Sequence, residues 1–399
     1  MRSVKTWVPA RLRRAIRRVM RPRPPRRPAR LYGFREFCAT TPTRRALVSY
    51  LVTPLLARPA DREHVAFSNL GIAQYIPRAL NELGYEVDIV EWDDPVWQPE
   101  RAYDLYVGHA GINFQHIAEA LPAEATRIYF STGIYWREAN LREARRVYEL
   151  AQRRGVLLNP DRPIRFSEEY ANRSADGIIC LGNQNAVRSY AGFPVVIGIR
   201  NAVFPLERPP LLDERAPDRR KHFLFFSGSG NLHKGLDLLL EAFAGTDLHL
   251  HVCQEIDAEF ERAFHAELSE YPNIHVHGYT AMRSEAFERI AAQCRWTISA
   301  TACEGQPGAV LECMAYGLVP ILPAEANIDL EDFGLPLPDV STAGIRRVVA
   351  EAANMAPDEC ARRARRSAAA IRSDYTPDQF DARFKEAVLQ ITARSRKGR

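Results

Sequence analysis

From residue 46 onward the sequence alternates short, nearly continuous apolar runs with stretches whose apolar residues recur every three to four positions. A parallel sheet covered by helices on both faces requires this alternation, because each strand is buried on two sides and each crossover is a helix. The runs predict strands over 46–52, 86–90, 103–107, 127–130, 177–181 and 195–199. Between the first two, Ile72, Ile76, Ala79, Leu80 and Leu83 share one helical face, and Gly84 follows where a helix closes. A charged stretch over 201–221 with Pro205, Pro209, Pro210 and Pro217 interrupts the pattern and reads as a linker. Beyond it, strands are predicted over 222–226, 248–252, 273–277, 296–300 and 318–322, with a helix over 234–244 closed by Gly245. A last helix has Thr376 as its cap, Pro377 in its first position, and Phe380, Phe384, Val388 and Ile391 on one face. At 399 residues the chain is too long for one ordinary core. The expected architecture is α/β: two Rossmann-like, doubly wound parallel-sheet domains facing a cleft. Its parts are a basic extension (1–45), a first domain (46–205), a second (206–375) and a C-terminal helix (376–399) returning to the first domain.

The net charge of +5 conceals an asymmetry, because residues 1–30 hold eleven Arg and Lys5 with no acid. Taking those twelve from the 54 basic residues leaves 42 against 49 acidic, so the remainder carries about −7. Nucleic-acid binding needs a basic face, and this body lacks one, so no nucleic-acid partner is expected. Within the extension Val4, Val8, Leu12, Ala15, Ile16 and Val19 fall on one side of a helix, with Arg13, Arg14, Arg17 and Arg21 opposite. That pattern suits a helix lying on an anionic membrane surface, followed by a stiff Pro- and Arg-rich tether over 21–28. A merely solubilising tail is the alternative. No apolar run approaches the roughly 20 residues of a spanning helix. The seven cysteines are scattered without a C-x-x-C pair and read as reduced core residues. The expectation is a cytoplasmic protein, peripheral on the inner face of the cell membrane if the extension binds there.

Ligands of open α/β sheets sit beyond the carboxyl ends of the strands, which directs attention to the loops after Phe226, Val252, His277 and Ala300. After the last of these Glu304 lies in a loop, Pro307 opens a helix, Glu312 follows one turn inside it, and Gly317 ends it. The helix-opening amides of Gly308, Ala309 and Val310 lack internal partners and carry the positive end of the dipole, so they can hold a diphosphate or sugar oxygens. Glu304 can accept hydrogen bonds from sugar hydroxyls, and Glu312 can take a ribose diol on the same ligand. Upstream, Gly228 and Gly230 let backbone amides approach a phosphate, and Lys234 at a helix start adds a point charge.

Glu304, seven residues, Glu312, then Ala315 and Gly317-Leu-Val-Pro320 resemble the E-x7-E segment of retaining GT-B glycosyltransferases, the fourth family of that classification. Ser227-Gly-Ser-Gly-Asn-Leu-His-Lys-Gly235 is similar to the family's glycine loop and Lys-Gly pair, except that Ser229 stands where the family usually has an arginine. The strand entering His109 resembles the family's strand ending in histidine, which implies a place for His109 in the interdomain cleft near the transferred sugar. The segment over 67–73, with Gly71, resembles the glycine loop beside donor and acceptor, and Asn201-Ala-Val resembles the domain-crossing Asn-Gly-Val. The resemblance spans residues 46–390 and is firmest over 222–322. It implies a GT-B fold that moves a sugar, with retention, from a nucleotide-diphosphate sugar to a saccharide or lipid-linked acceptor. Cell-envelope polysaccharide or glycolipid synthesis is the implied setting, and no metal or other cofactor is implied. Glu304 and His109 take the catalytic roles; Gly71, Gly228, Ser229, Gly230, Lys234, Gly308, Ala309, Val310 and Glu312 hold the nucleotide sugar. The route implied is front-face departure of the diphosphate. Two alternatives stand beside this reading: a nucleotide-sugar epimerase, and a non-catalytic partner subunit of the same fold, which the uncharged Ser229 suggests.

His249 and His251, like His275 and His277, alternate along neighbouring strands and share a face as metal ligands could. No carboxylate or cysteine pattern completes a zinc site there. Asp93-Asp94 reads as a loop beside Trp92 and Pro95, and neither feature is expected to bind metal.

Overall fold

The computed structural model describes residues 29–57, 68–109, 111–206 and 217–397. Seven strands build the first sheet: β1 (Arg30–Phe34), β2 (Arg44–Tyr50), β3 (Tyr85–Glu91), β4 (Leu105–Gly108), β5 (Thr126–Ser131), β6 (Gly177–Leu181) and β7 (Val196–Ile199). Their spatial order is β1-β3-β2-β4-β5-β6-β7, parallel except where β1 runs against β3. The second sheet holds β8 (His222–Phe226), β9 (His249–Cys253), β10 (Ile274–Val276), β11 (Trp296–Ile298), β12 (Val319–Leu322) and β13 (Leu335–Pro336). Its order is β10-β9-β8-β11-β12-β13, parallel throughout. Strands such as β6 and β12 are buried along their whole length, which is why they read as unbroken apolar runs.

Strand β1 corrects the sequence reading, which placed residues 30–34 in the basic extension. Arg30 pairs with Val90 and Leu31 with Ile89 along the sheet edge. Arg30 also reaches Asp94, 2.8 Å away and fully buried, so the second acid of the pair after β3 serves a structural ion pair. The amphipathic pattern and proline tether within residues 1–28, and residues 207–216 of the linker, lie outside the described residues. No helix among the described residues is long and apolar enough to cross a membrane.

Two helices tie the sheets together. Helix Pro377–Lys397 returns to the first sheet, where Phe380, Phe384, Val388 and Ile391 are buried against its core. Ile391 packs so closely on β6 that a Cβ added to Gly177 would lie 2.6 Å from it. Helix Trp136–Arg154 places Ala139 in the first domain's core, yet Val147 and Leu150 belong to the core of the second sheet. Its Arg146 donates to the Ala300 carbonyl at 2.9 Å, and Arg153 pairs with buried Asp237 at 2.6 Å. The helix expected from Lys234 begins instead at Leu236. Gly235 takes φ 77, and a Cβ there would sit 2.2 Å from the Ala300 carbonyl oxygen, so the chain turns at Gly235 and Lys234 stands ahead of the helix.

Candidate active site

A cavity of about 210 Å³ opens between the two domains. His109, Ser131 and Thr132 line it from the ends of β4 and β5; Arg162 and Glu168 come from the connection after helix Trp136–Arg154; His233, Cys303, Glu304 and Gly305 close it from the second domain. The two sequence candidates for catalysis, His109 and Glu304, therefore meet in one space.

His109 is fixed at both ends. Its amide donates to Ser49 O at 2.9 Å, and Nδ1 lies 2.8 Å from Phe130 O, which can only accept. Nδ1 thus carries the proton and Nε2 keeps its lone pair. The ring sits edge-on to Tyr50 at 5.0 Å and to Trp92 at 5.9 Å. Burial lowers its pKa to about 4 despite the bond to Phe130 O, so at neutral pH it is an uncharged acceptor.

Glu304 is held as a carboxylate. Lys234 Nζ rests on its Oε1, Thr301 Oγ1 donates to the same atom at 3.2 Å, and His233 Nε2 stands 3.5 Å away. Burial pushes its pKa up, but Lys234 and then His233 outweigh it and hold the carboxyl well below the usual range. The other ring nitrogen of His233 lies 3.5 Å from Glu143. Burial lowers the pKa of His233, and the two flanking carboxylates raise it net. The loop below is pinned by Asn201, whose N donates to Gln306 Oε1 at 2.7 Å and whose Nδ2 donates to Gln306 O at 3.1 Å. Asn327 Nδ2 donates to Glu304 O at 2.6 Å.

Glu143, Asp161 and His233 bring ligand atoms within 4.8 Å of one another, a donor set that could hold a divalent cation. Each already has other work: Asp161 accepts from the amides of Leu232 at 2.8 Å and His233 at 3.2 Å, and Glu143 accepts from the Arg162 amide at 2.5 Å. The strand histidines also engage one another. His222 Nδ1 lies 2.9 Å from His251 Nε2, His251 Nδ1 lies 3.1 Å from His277 Nε2, and His249 pairs with His275 at 3.0 Å.

Several candidates stand apart from the cavity. Glu312 is nearly buried and bound by Arg283, so it does not share the space of Glu304. Gly308 and Ala309 open helix Gly308–Ala315, leaving amides the helix does not use, but the Val310 amide donates to Pro307 O at 3.0 Å. Val310 is therefore not a free donor, contrary to the sequence reading. Gly71 lies inside helix Ser68–Ala73 rather than in a loop, and it does not line the cavity. Gly230 takes φ 89, Gly228 faces open space, and Ser229 is exposed beside them. Sequence reasoning missed Arg162, His233, Glu143 and Arg283. Arg283 follows the end of β10, where strand-end loops should be searched, and His233 adjoins Lys234; Arg162 and Glu143 had no such local signal.

The two-sheet architecture is that of the GT-B glycosyltransferases. The sucrose-phosphate synthase of Thermosynechococcus elongatus is similar at TM-score 0.60 and 13% identity, over 87% of this chain and 98% of that one. Anabaena HepE in complex with UDP and glucose is similar at TM-score 0.53 and 10% identity, over 86% of this chain and 99% of that one. TarM is similar at TM-score 0.51 and 14% identity over 72% of this chain, which spans only 54% of TarM. No family model and no curated protein sequence matches the chain. At these identities the likeness is one of fold.

Proposed function

We propose that the chain is a retaining glycosyltransferase that moves a sugar from a nucleotide-diphosphate sugar to a saccharide or lipid-linked acceptor. The meeting of His109 and Glu304 across the domain boundary of a GT-B fold, with Lys234 on Glu304, is the observation that carries this reading. The cavity's 210 Å³ is below the roughly 300 Å³ at which pockets for drug-sized ligands begin, so it suits one sugar ring with the nucleotide outside it. Glu304 orients the ring's hydroxyls as an acceptor, and neutral His109 accepts a hydrogen bond from the opposite side. The glycosidic carbon–oxygen bond to the diphosphate breaks as the acceptor oxygen bonds the same face of that carbon, and the departing phosphate oxygen takes the acceptor's proton. Lys234 and the amides of Gly308 and Ala309 stabilise the charge that develops there. UDP is the first nucleotide to try, since HepE is described with UDP and glucose. Cell-envelope polysaccharide or glycolipid synthesis on the inner membrane face is the setting proposed, with the basic residues 1–28 on the anionic surface.

The test is a thermal-shift panel of nucleotide sugars, followed by incubation of the stabilising donor with envelope saccharides and lipids. A ligand at a hundredfold excess over its dissociation constant adds roughly 2.7 kcal/mol, a shift of a few degrees. A product heavier by one sugar, with the donor's anomeric configuration kept, supports the proposal. A folded protein that no nucleotide sugar stabilises removes it.

A further inference from the structure

Of the basic side chains Lys234, His233 and Arg162 around the glycine loop, the first two are already engaged. Lys234 is on Glu304, and His233 stands between Glu304 and Glu143. Arg162 is different: among the described residues its guanidinium has no hydrogen-bond or ion-pair partner, and the residue is exposed while lining the cavity. Its stem lies over the loop, so close that a Cβ added to Gly230 would meet its Cδ at 2.6 Å and its Cγ at 3.0 Å. The backbone around it is anchored. Glu143 accepts from the Arg162 amide at 2.5 Å, and its neighbour Asp161 accepts from Leu232 at 2.8 Å and His233 at 3.2 Å, across the domain boundary. Arg162 is thus a guanidinium without a direct bond among the described residues, acting on Glu304 only through space from a backbone anchored near Lys234, where Ser229 contributes no charge.

We propose that Arg162, reaching from the first-domain side over Gly228–Gly230, binds the donor's diphosphate. This inference rests on the donor site proposed above. A guanidinium offers paired N–H donors that match phosphate oxygens, and Lys234, drawn to Glu304, offers only a point charge. Because the segment bearing Arg162 is already joined to the second domain through Asp161 and to helix Trp136–Arg154 through Glu143, a diphosphate bridging Arg162 and Lys234 adds to a seam that is in place before the donor arrives.

The test uses the full chain and isothermal titration with UDP, GDP, ADP, CDP and dTDP, then with the monophosphate of whichever binds. Arg162→Ala is expected to weaken the diphosphate by about tenfold or more while changing the monophosphate much less. The double variant Arg162→Ala, Ser229→Arg is expected to recover most of the loss, because it restores a guanidinium on the loop's other side. Arg162 is exposed, so the variant should melt with the wild type, and thermal unfolding checks this. A wild type that binds one diphosphate, with Arg162→Ala binding it equally, overturns this inference alone. A folded wild type that binds none of the five overturns the donor site and this inference with it.

Discussion

Arg283 clasps Glu312 through both carboxylate oxygens, Nε to Oε2 and Nη2 to Oε1, each at 3.0 Å. The same guanidinium donates to the carbonyls of Phe204 at 2.6 Å and Pro205 at 3.2 Å, tying the interdomain crossing to the helix of the E-x7-E segment. Burial raises the pKa of Glu312, and Arg283 works against that rise. Removing Arg283 leaves a buried carboxylate without its cation. Arg283→Ala should therefore cost about 3 kcal/mol in urea unfolding, and the double variant Arg283→Ala, Glu312→Leu should recover much of it. A single-variant loss below about 1 kcal/mol would mean that the clasp behaves as a surface pair.

Lys234 and Glu304 should separate binding from turnover. Lys234→Ala removes the cation next to the departing phosphate and is expected to lower kcat by about 10² to 10³. Glu304→Gln keeps the shape and the bond from Thr301 but frees Lys234, so nucleoside diphosphate affinity should hold or tighten while turnover falls. Steady-state kinetics with calorimetry reads both. Equal losses of affinity in the two variants would contradict the assignment of Glu304 to the sugar.

Much of this site was legible because its signals are local. The strand into Glu304, the proline that opens a helix and the glycine that ends it follow from short-range chemistry, and the same holds for Thr376-Pro377. What escaped depends on distant partners. Strand β1 is a short run next to a basic tail, and its place comes from pairing with β3 some 60 residues later, as Arg30 with Val90. Arg162 lies in an irregular stretch with no periodicity, and its position is set by Glu143 and by a glycine loop in the other domain. The Val310 amide was misread because the turn at Pro307 tightens and takes it up, a detail of the first helical turn that sequence does not encode.

The imidazoles make stability fall in mild acid. His251 is pushed down to about 3, by burial first and then by His275, His222, His277 and His249; His109 is lowered to about 4. A base with a depressed folded pKa binds fewer protons folded than unfolded, so stability present above about 6.5 is lost as pH falls toward those values. At pH 5 each such histidine costs about 2 kcal/mol, whatever its folded pKa below 5. Glu168, raised by burial to about 7, works in the opposite direction, so the wild-type total is not the histidine sum. The difference between proteins is cleaner. His251→Asn should lose about 2 kcal/mol less than wild type between pH 7 and pH 5 in urea unfolding. Parallel pH curves would show that His251 titrates normally.

Gly305 offers a test of closure. A Cβ there would lie 2.2 Å from the Thr132 carbonyl oxygen and 2.9 Å from that of Leu181, both backbone atoms of the first domain. Neither can swing aside as a side chain would, and Gly305 has no left-handed φ that would strain the variant by itself. The cheapest relief is a small opening of the domains, which parts His109 from Glu304 but leaves Lys234 and the glycine loop on the second domain intact. Gly305→Ala should therefore keep nucleoside diphosphate binding, show a larger radius of gyration by small-angle scattering, and lose transfer by about 10²-fold, the scale of a 1 Å misplacement. Gly192→Ala, where an added Cβ meets nothing within 4 Å, is the control and should match wild type. A Gly305→Ala protein as compact and as active as wild type would show that the contact with Thr132 is not what sets the distance across the cleft.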